Sequence, residues 1–164
     1  MIYYKYVDYL NENDIGTTYV EVDNKYVVRQ IYKSPDRFVS SNRKDIKYDY
    51  FLAEGEFYID DMDVDVVKIE KIEFENIWEE MSGNYREEWL KLKETHKISE
   101  RVTGVIDVFY PQGPIVRIDE NTFAIIYDED GGNCNLAYNW SEEITGIIAG
   151  YDDINMWLIL KTID

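Results

Sequence analysis

Beyond residue 96 the sequence resolves into five short runs of β-branched and aromatic residues, and this pattern constrains the fold more than any other feature. The runs fall at 102–109, 115–118, 123–127, 144–149 and 156–160. Turn signals separate them: Pro111-Gln112-Gly113-Pro114, Asp119-Glu120-Asn121, the stretch 128–133, and Asp152-Asp153. Such runs are too short for ordinary helices, and their composition suits a half-buried pleated surface. Lone hairpins are marginal in water, so the strands must close on one another. Five strands with a longer insertion between the third and fourth predict a small Greek-key barrel.

The first part of the chain also reads as strands. Residues 2–10, 17–22 and 26–32 are runs of aromatic and β-branched residues, and Asp23-Asn24 supplies a tight turn between the last two. In the third run, Val27, Ile31 and the stem of Arg29 share one face, while Tyr26, Val28 and Tyr32 share the other. Apolar groups on both faces predict a central strand. A looser stretch, SPDRFVSSNRKDIK, reads as a loop, with short strands expected at 48–52 and 57–59.

At Ile69 the hydrophobic period changes. Ile69, Ile72, Ile77 and Trp78, with Phe74 between them, lie on a helical stripe that ends at Ser82-Gly83-Asn84. A second helical segment covers 85–96, with Tyr85, Trp89 and Leu92 on one face. Its glutamates come early and its lysines late, as the helix dipole favours. The expected organisation is an antiparallel-sheet unit at 1–84 with one or two helices, a linking helix at 85–95, and the barrel at 96–164. The fold class is α+β, mostly β.

The segment HKISERVTGVIDVFYPQGPIVRIDENTFAIIYDED resembles the opening of an S1 domain, an OB-fold barrel. In that family a glycine-bearing first strand precedes a Gly-containing turn, a second strand ending in an acidic residue, and a third strand. The tail ITGIIAGYDDINMWLILK is similar to the S1 ending, where a fourth strand with glycine reaches an Asp-centred turn and a final strand. The resemblance spans 96–162 and implies RNA binding. Phe109, Tyr110 and Tyr127 are then the stacking candidates, with Arg117, Arg29, Arg43 and Lys44 supplying charge. By charge and size alone, the first 80 residues resemble small acidic bacterial proteins, including immunity proteins that neutralise basic toxins.

Charge weighs against RNA. The formal net charge is -17, and it is spread evenly along the chain. An acidic surface repels phosphate and steers basic partners, and single-strand grooves need cations beside their aromatics. The one departure is residues 25–47, where Lys25, Arg29, Lys33, Arg37, Arg43, Lys44 and Lys47 face only Asp36 and Asp45. These cations are expected either to pair with neighbouring acids or to form an anion contact point.

Catalytic chemistry has little to work with. His96 and Cys134 are single residues far apart in sequence, and His96 at a helix C-terminus reads as a cap. One Cys and one His offer no zinc spacing. Asp61, Asp63 and Asp65 alternate as in a calcium loop, but Val66 and Ile72 stand where that loop needs Gly and Glu. Asp128, Asp130 and Asn133 fail similarly. No phosphate loop, dinucleotide fingerprint or nucleophile elbow is present. The reading is a non-enzymatic, cofactor-free binding protein of the cytoplasm, without a leader or membrane span and with a lone cysteine suited to a reducing compartment. Its expected partner is a basic protein, met by Tyr110, Tyr127, Tyr151, Asp152, Asp153 and Trp157 on the barrel face. The alternative is an S1-type RNA-binding or regulatory protein.

Overall fold

Alternation along the first 33 residues produces a three-stranded meander of β1 (Ile2–Asn11), β2 (Asp14–Asp23) and β3 (Tyr26–Lys33). The computed structural model describes residues 1–127 and 137–163. The meander is extended at one side by β4 (Phe38–Ser40) and at the other by β5 (Val67–Ile69). All five strands are antiparallel, in the order β4-β3-β2-β1-β5. The β2–β3 turn is centred on Asn24 and Lys25, both at positive φ, which matches the twist that hairpins require. β3 lies between β2 and β4 and is buried on both faces, as expected, but the register shift at Glu21/Val22 turns Val27 to the face opposite Ile31.

Two different covers account for that burial. Helix α1 (Lys71–Gly83) packs Phe74, Trp78 and Met81 against Tyr3 and Ile31 on one face. On the opposite face, Leu52, Ala53 and Phe57 close over Val20, Val22 and Val27. The stretches expected as strands at 48–52 and 57–59 are therefore a correction. They form an irregular cover, which includes a bridge between Tyr26 and Glu56 and a bond from Ala53 N–H to Gln30 Oε1. Their apolar residues serve as plugs, and so the short runs look like strands in sequence. A 3-10 turn follows at Ile59–Asp61. β5 begins just before the helical stripe, where Ile69 ends a strand instead of starting the helix.

The chain divides into two units, Met1–Tyr85 and Arg86–Asp164. Helix α2 (Arg86–Thr95) belongs to the second. That unit is built on β6 (Arg101–Tyr110), β7 (Gly113–Arg117), β8 (Phe123–Ile125), β9 (Glu143–Asp152) and β10 (Trp157–Thr162). The strands form a closed barrel, running β6-β7-β8-β10-β9 and back to β6. The β8–β10 pairing is parallel and every other pairing is antiparallel. Closure with this order gives an OB-like barrel.

Gly104 lets β6 lie close against β7. A Cβ there would lie 2.7 Å from both the Arg117 carbonyl oxygen and Val116 Cγ1. Register shifts at Ile106/Val108 on β6 and at Ala149 on β9, opposite Ile159/Leu160, bend the strands, as bulges do in small barrels. Ile106, Ile115, Val116, Ala124, Ile125, Ile148 and Leu158 are fully buried.

Candidate partner-binding surface

Four of the barrel residues expected to meet a partner, Tyr127, Tyr151, Asp152 and Asp153, gather at the β9–β10 turn, where their bonds hold the turn and helix α2. Asp152 holds the turn: its Oδ1 accepts the Ile154 and Asn155 N–H groups at 3.0 Å each, and its Oδ2 accepts Asn155 Nδ2 at 2.7 Å. The same Oδ2 accepts the Tyr127 hydroxyl at 2.6 Å. Met156 then takes a positive φ of 58° to bring the chain back into β10. Burial, reinforced by that carboxylate, raises the Tyr127 hydroxyl well above its ordinary range.

Asp153 is tied to α2. It accepts Trp89 Nε1 at 2.7 Å and Lys93 Nζ at 2.6 Å. Lys93, followed by Trp89, holds its carboxyl below the usual carboxylate range. Trp89 meets Tyr151 edge-on at 6.1 Å, and the Tyr151 hydroxyl donates to the His96 carbonyl at 2.7 Å. The His96 N–H bonds the Leu92 carbonyl just past the end of α2. These contacts fasten α2 to its own barrel. Trp89 and Lys93 were missed as members of this cluster. Trp89 was assigned to the apolar helix face, but nothing in local sequence shows an indole N–H reaching Asp153.

Tyr110 and Trp157 correct the expected surface. They are 2% and 1% exposed, and their rings lie 5.9 Å apart. Both point into the packed interior, where burial pushes the Tyr110 hydroxyl far up. Neither presents area to a partner. Tyr127, Tyr151 and Asp152 are half-buried and Asp153 is exposed.

The alternative nucleic-acid set fares similarly. OB folds bind oligonucleotides across their second and third strands, but here β7 and β8 are buried on both faces, apart from Arg117 at the end of β7. Arg117 donates Nε–H to Asp107 Oδ2 at 2.9 Å, and Phe109 is half-buried. The basic stretch is paired within its own unit. Arg29 binds Glu21 and Glu75, Arg37 binds Asp14, Lys33 binds Glu80, Lys25 binds Glu56, and Lys44 binds Asp49. Arg43 stacks on the Tyr85 ring and Lys47 lies over Tyr48. Of the two outcomes open to these cations, five of the seven have pairing with neighbouring acids.

The acids without such duties lie elsewhere. Asp60, Asp61, Asp63, Asp65 and Glu12 are exposed. Among the described residues, no group of three His, Cys, Asp or Glu side chains is arranged to hold a metal ion. Cys134, Asp128, Asp130 and Asn133 lie outside the described residues. Among the described residues, no helix is long and apolar enough to cross a membrane. No family model matches the chain, and no curated protein sequence matches it.

Proposed function

We propose that this chain is a non-enzymatic protein-interaction module that presents acidic surface to a basic partner, in the manner of an immunity or inhibitor protein. The observation that carries this reading is the internal pairing of the basic stretch 25–47. Five of its seven cations are held by Asp14, Glu21, Asp49, Glu56, Glu75 and Glu80, and Arg43 and Lys47 lie against tyrosine rings. What faces solvent is therefore an acidic field, which raises the encounter rate with cationic proteins and repels phosphate. Chemical cross-linking of the full chain in cell extract, followed by identification of the bound species, tests the proposal. The expected product is a basic protein whose association rate falls steeply as salt rises. Capture of RNA, or of an acidic protein by a salt-independent contact, contradicts it.

An S1-type barrel that binds RNA remains the second reading, favoured by the OB-like strand order alone. It requires a surface other than the β7–β8 ribbon and cations other than those already paired.

A further inference from the structure

The N-terminal sheet has an edge only half covered. β1 is ten residues long, yet β5 pairs with it only at Tyr3, Tyr4 and Lys5. Among the described residues, nothing pairs with residues 6–11 on that side. Tyr3 and Lys5 sit opposite Ile69 and Val67, and strand period places Val7 and Tyr9 in the same phase as those two. The Tyr9 N–H is taken by the neighbouring Asp8 carboxylate at 2.8 Å, as expected of a donor with no strand beside it.

The side chains here are apolar and exposed. Tyr9 pairs across the hairpin with Ile15, and Val7 lies next along the same face. Their exposures are 60%, 53% and 50%. Helix α1 covers this face at Tyr3 and leaves the hairpin tip bare. An open strand edge beside an apolar strip is a template for one more strand.

Charge indicates what kind of strand. β5 runs antiparallel to β1 with Val67 opposite Lys5, so the chain preceding it leaves the edge where the open stretch begins. That chain carries Asp65, Asp63, Asp61 and Asp60, all exposed, and Glu12 is exposed at the other end, in the hairpin turn. Lys5, the nearest cation on β1, is held by Glu73. A second copy of this chain would bring the same net charge of -17 to the contact.

We propose that the β1 edge at residues 6–11 receives an extended, lysine- or arginine-rich segment of a partner protein as a sixth strand of the sheet. Main-chain bonds supply the affinity, Val7, Tyr9 and Ile15 supply the apolar contact, and the aspartates before β5 select for positive charge. This assignment rests on the reading of the chain as a module for basic partners.

The test uses the full chain and a synthetic decapeptide of alternating valine and lysine, followed by amide shifts and hydrogen exchange. The expected result is protection of the Val7 amide, with binding weakened about tenfold or more by Val7→Pro and by Tyr9→Lys. Proline is tolerated at an edge whose N–H faces solvent, and the lysine variant keeps the backbone intact should proline disturb the hairpin. N-methylation of every second peptide residue must abolish binding. If the peptide binds both variants and the parent equally, the edge is overturned while the basic-partner reading stands. If it binds none of them at low salt, both fail. A dimer of the chain that Val7→Pro dissociates would put a second copy on this edge and overturn the proposed occupant.

Discussion

Arg29→Met removes the one cation buried in the core of the first unit, and the structure sets the scale of the loss. The Arg29 and Glu21 side chains are 7% and 8% exposed. The guanidinium also bonds Glu75 at 2.6 and 3.2 Å and lies 4.8 Å from the Phe74 ring and 5.0 Å from that of Trp78. Without it, Glu21 keeps only the Tyr3 hydroxyl, 2.9 Å away, and becomes a buried charge with no counter-ion. Breaking a buried pair in this way costs about 3–5 kcal/mol. The Tyr3 bond places the expected loss at about 3, the lower end of that range. For a unit of this size each kcal/mol lowers the melting midpoint by about 4–8 °C, so a drop of at least about 12 °C is expected. Thermal and urea unfolding followed by circular dichroism measure it. Replacing both partners with apolar groups, as in Glu21→Leu with Arg29→Met, should recover most of the loss, because neither charge is then stranded. A single variant within about 1 kcal/mol of the parent would refute this account of Arg29. So would a double variant no better than the single.

Other outcomes follow from the same geometry. Gly104→Ala forces a Cβ against the Arg117 carbonyl oxygen and should destabilise the barrel by about 1–3 kcal/mol, read as a lower urea midpoint. Tyr3, Tyr6 and Tyr32 are each raised to about 12, with burial as the largest cause. A phenol held neutral by the fold favours the folded state below its unfolded value near 10. Stability should therefore be flat towards pH 10 and fall between about 10 and 12, in step with phenolate absorbance. Asp153 is depressed by Lys93, so its contribution is present above its unfolded value and lost as pH falls through the folded one. Below about pH 4, α2 amides should lose exchange protection before barrel amides do, and Asp153→Asn should remove that pH dependence.

Much of the architecture was legible because it follows from local pattern. Period-two runs located the strands of the meander and the barrel, and the stripe through Ile77, Trp78 and Phe74 located α1, although Ile69 ends β5 and Ile72 is exposed. The cover formed by Leu52, Ala53 and Phe57 was not legible, since a plug over a sheet has the same composition as a short strand. The candidate surface was legible as a place but not as a role. Tyr127, Asp152, Asp153 and Tyr151 do gather at one turn, yet their bonds go to Asn155, Trp89, Lys93 and the His96 backbone. Asn155 is local to Asp152, but partners as distant in sequence as Trp89, Lys93 and His96 leave no trace in residue spacing. The burial of Tyr110 and Trp157 was not legible, because alternation sorts residues onto faces without saying which face is packed. The pairing of the basic stretch was foreseeable in kind, but its partners on α1, Glu75 and Glu80, lie more than forty residues away.

If, as proposed, this protein works through acidic surface, single-stranded nucleic acid should not bind it. Titration of the full chain with labelled single-stranded RNA at low and moderate salt tests it most directly. The account predicts no binding even at low salt, where phosphate attraction is strongest. Micromolar or tighter binding that weakens as salt rises would contradict it and restore the S1-type reading.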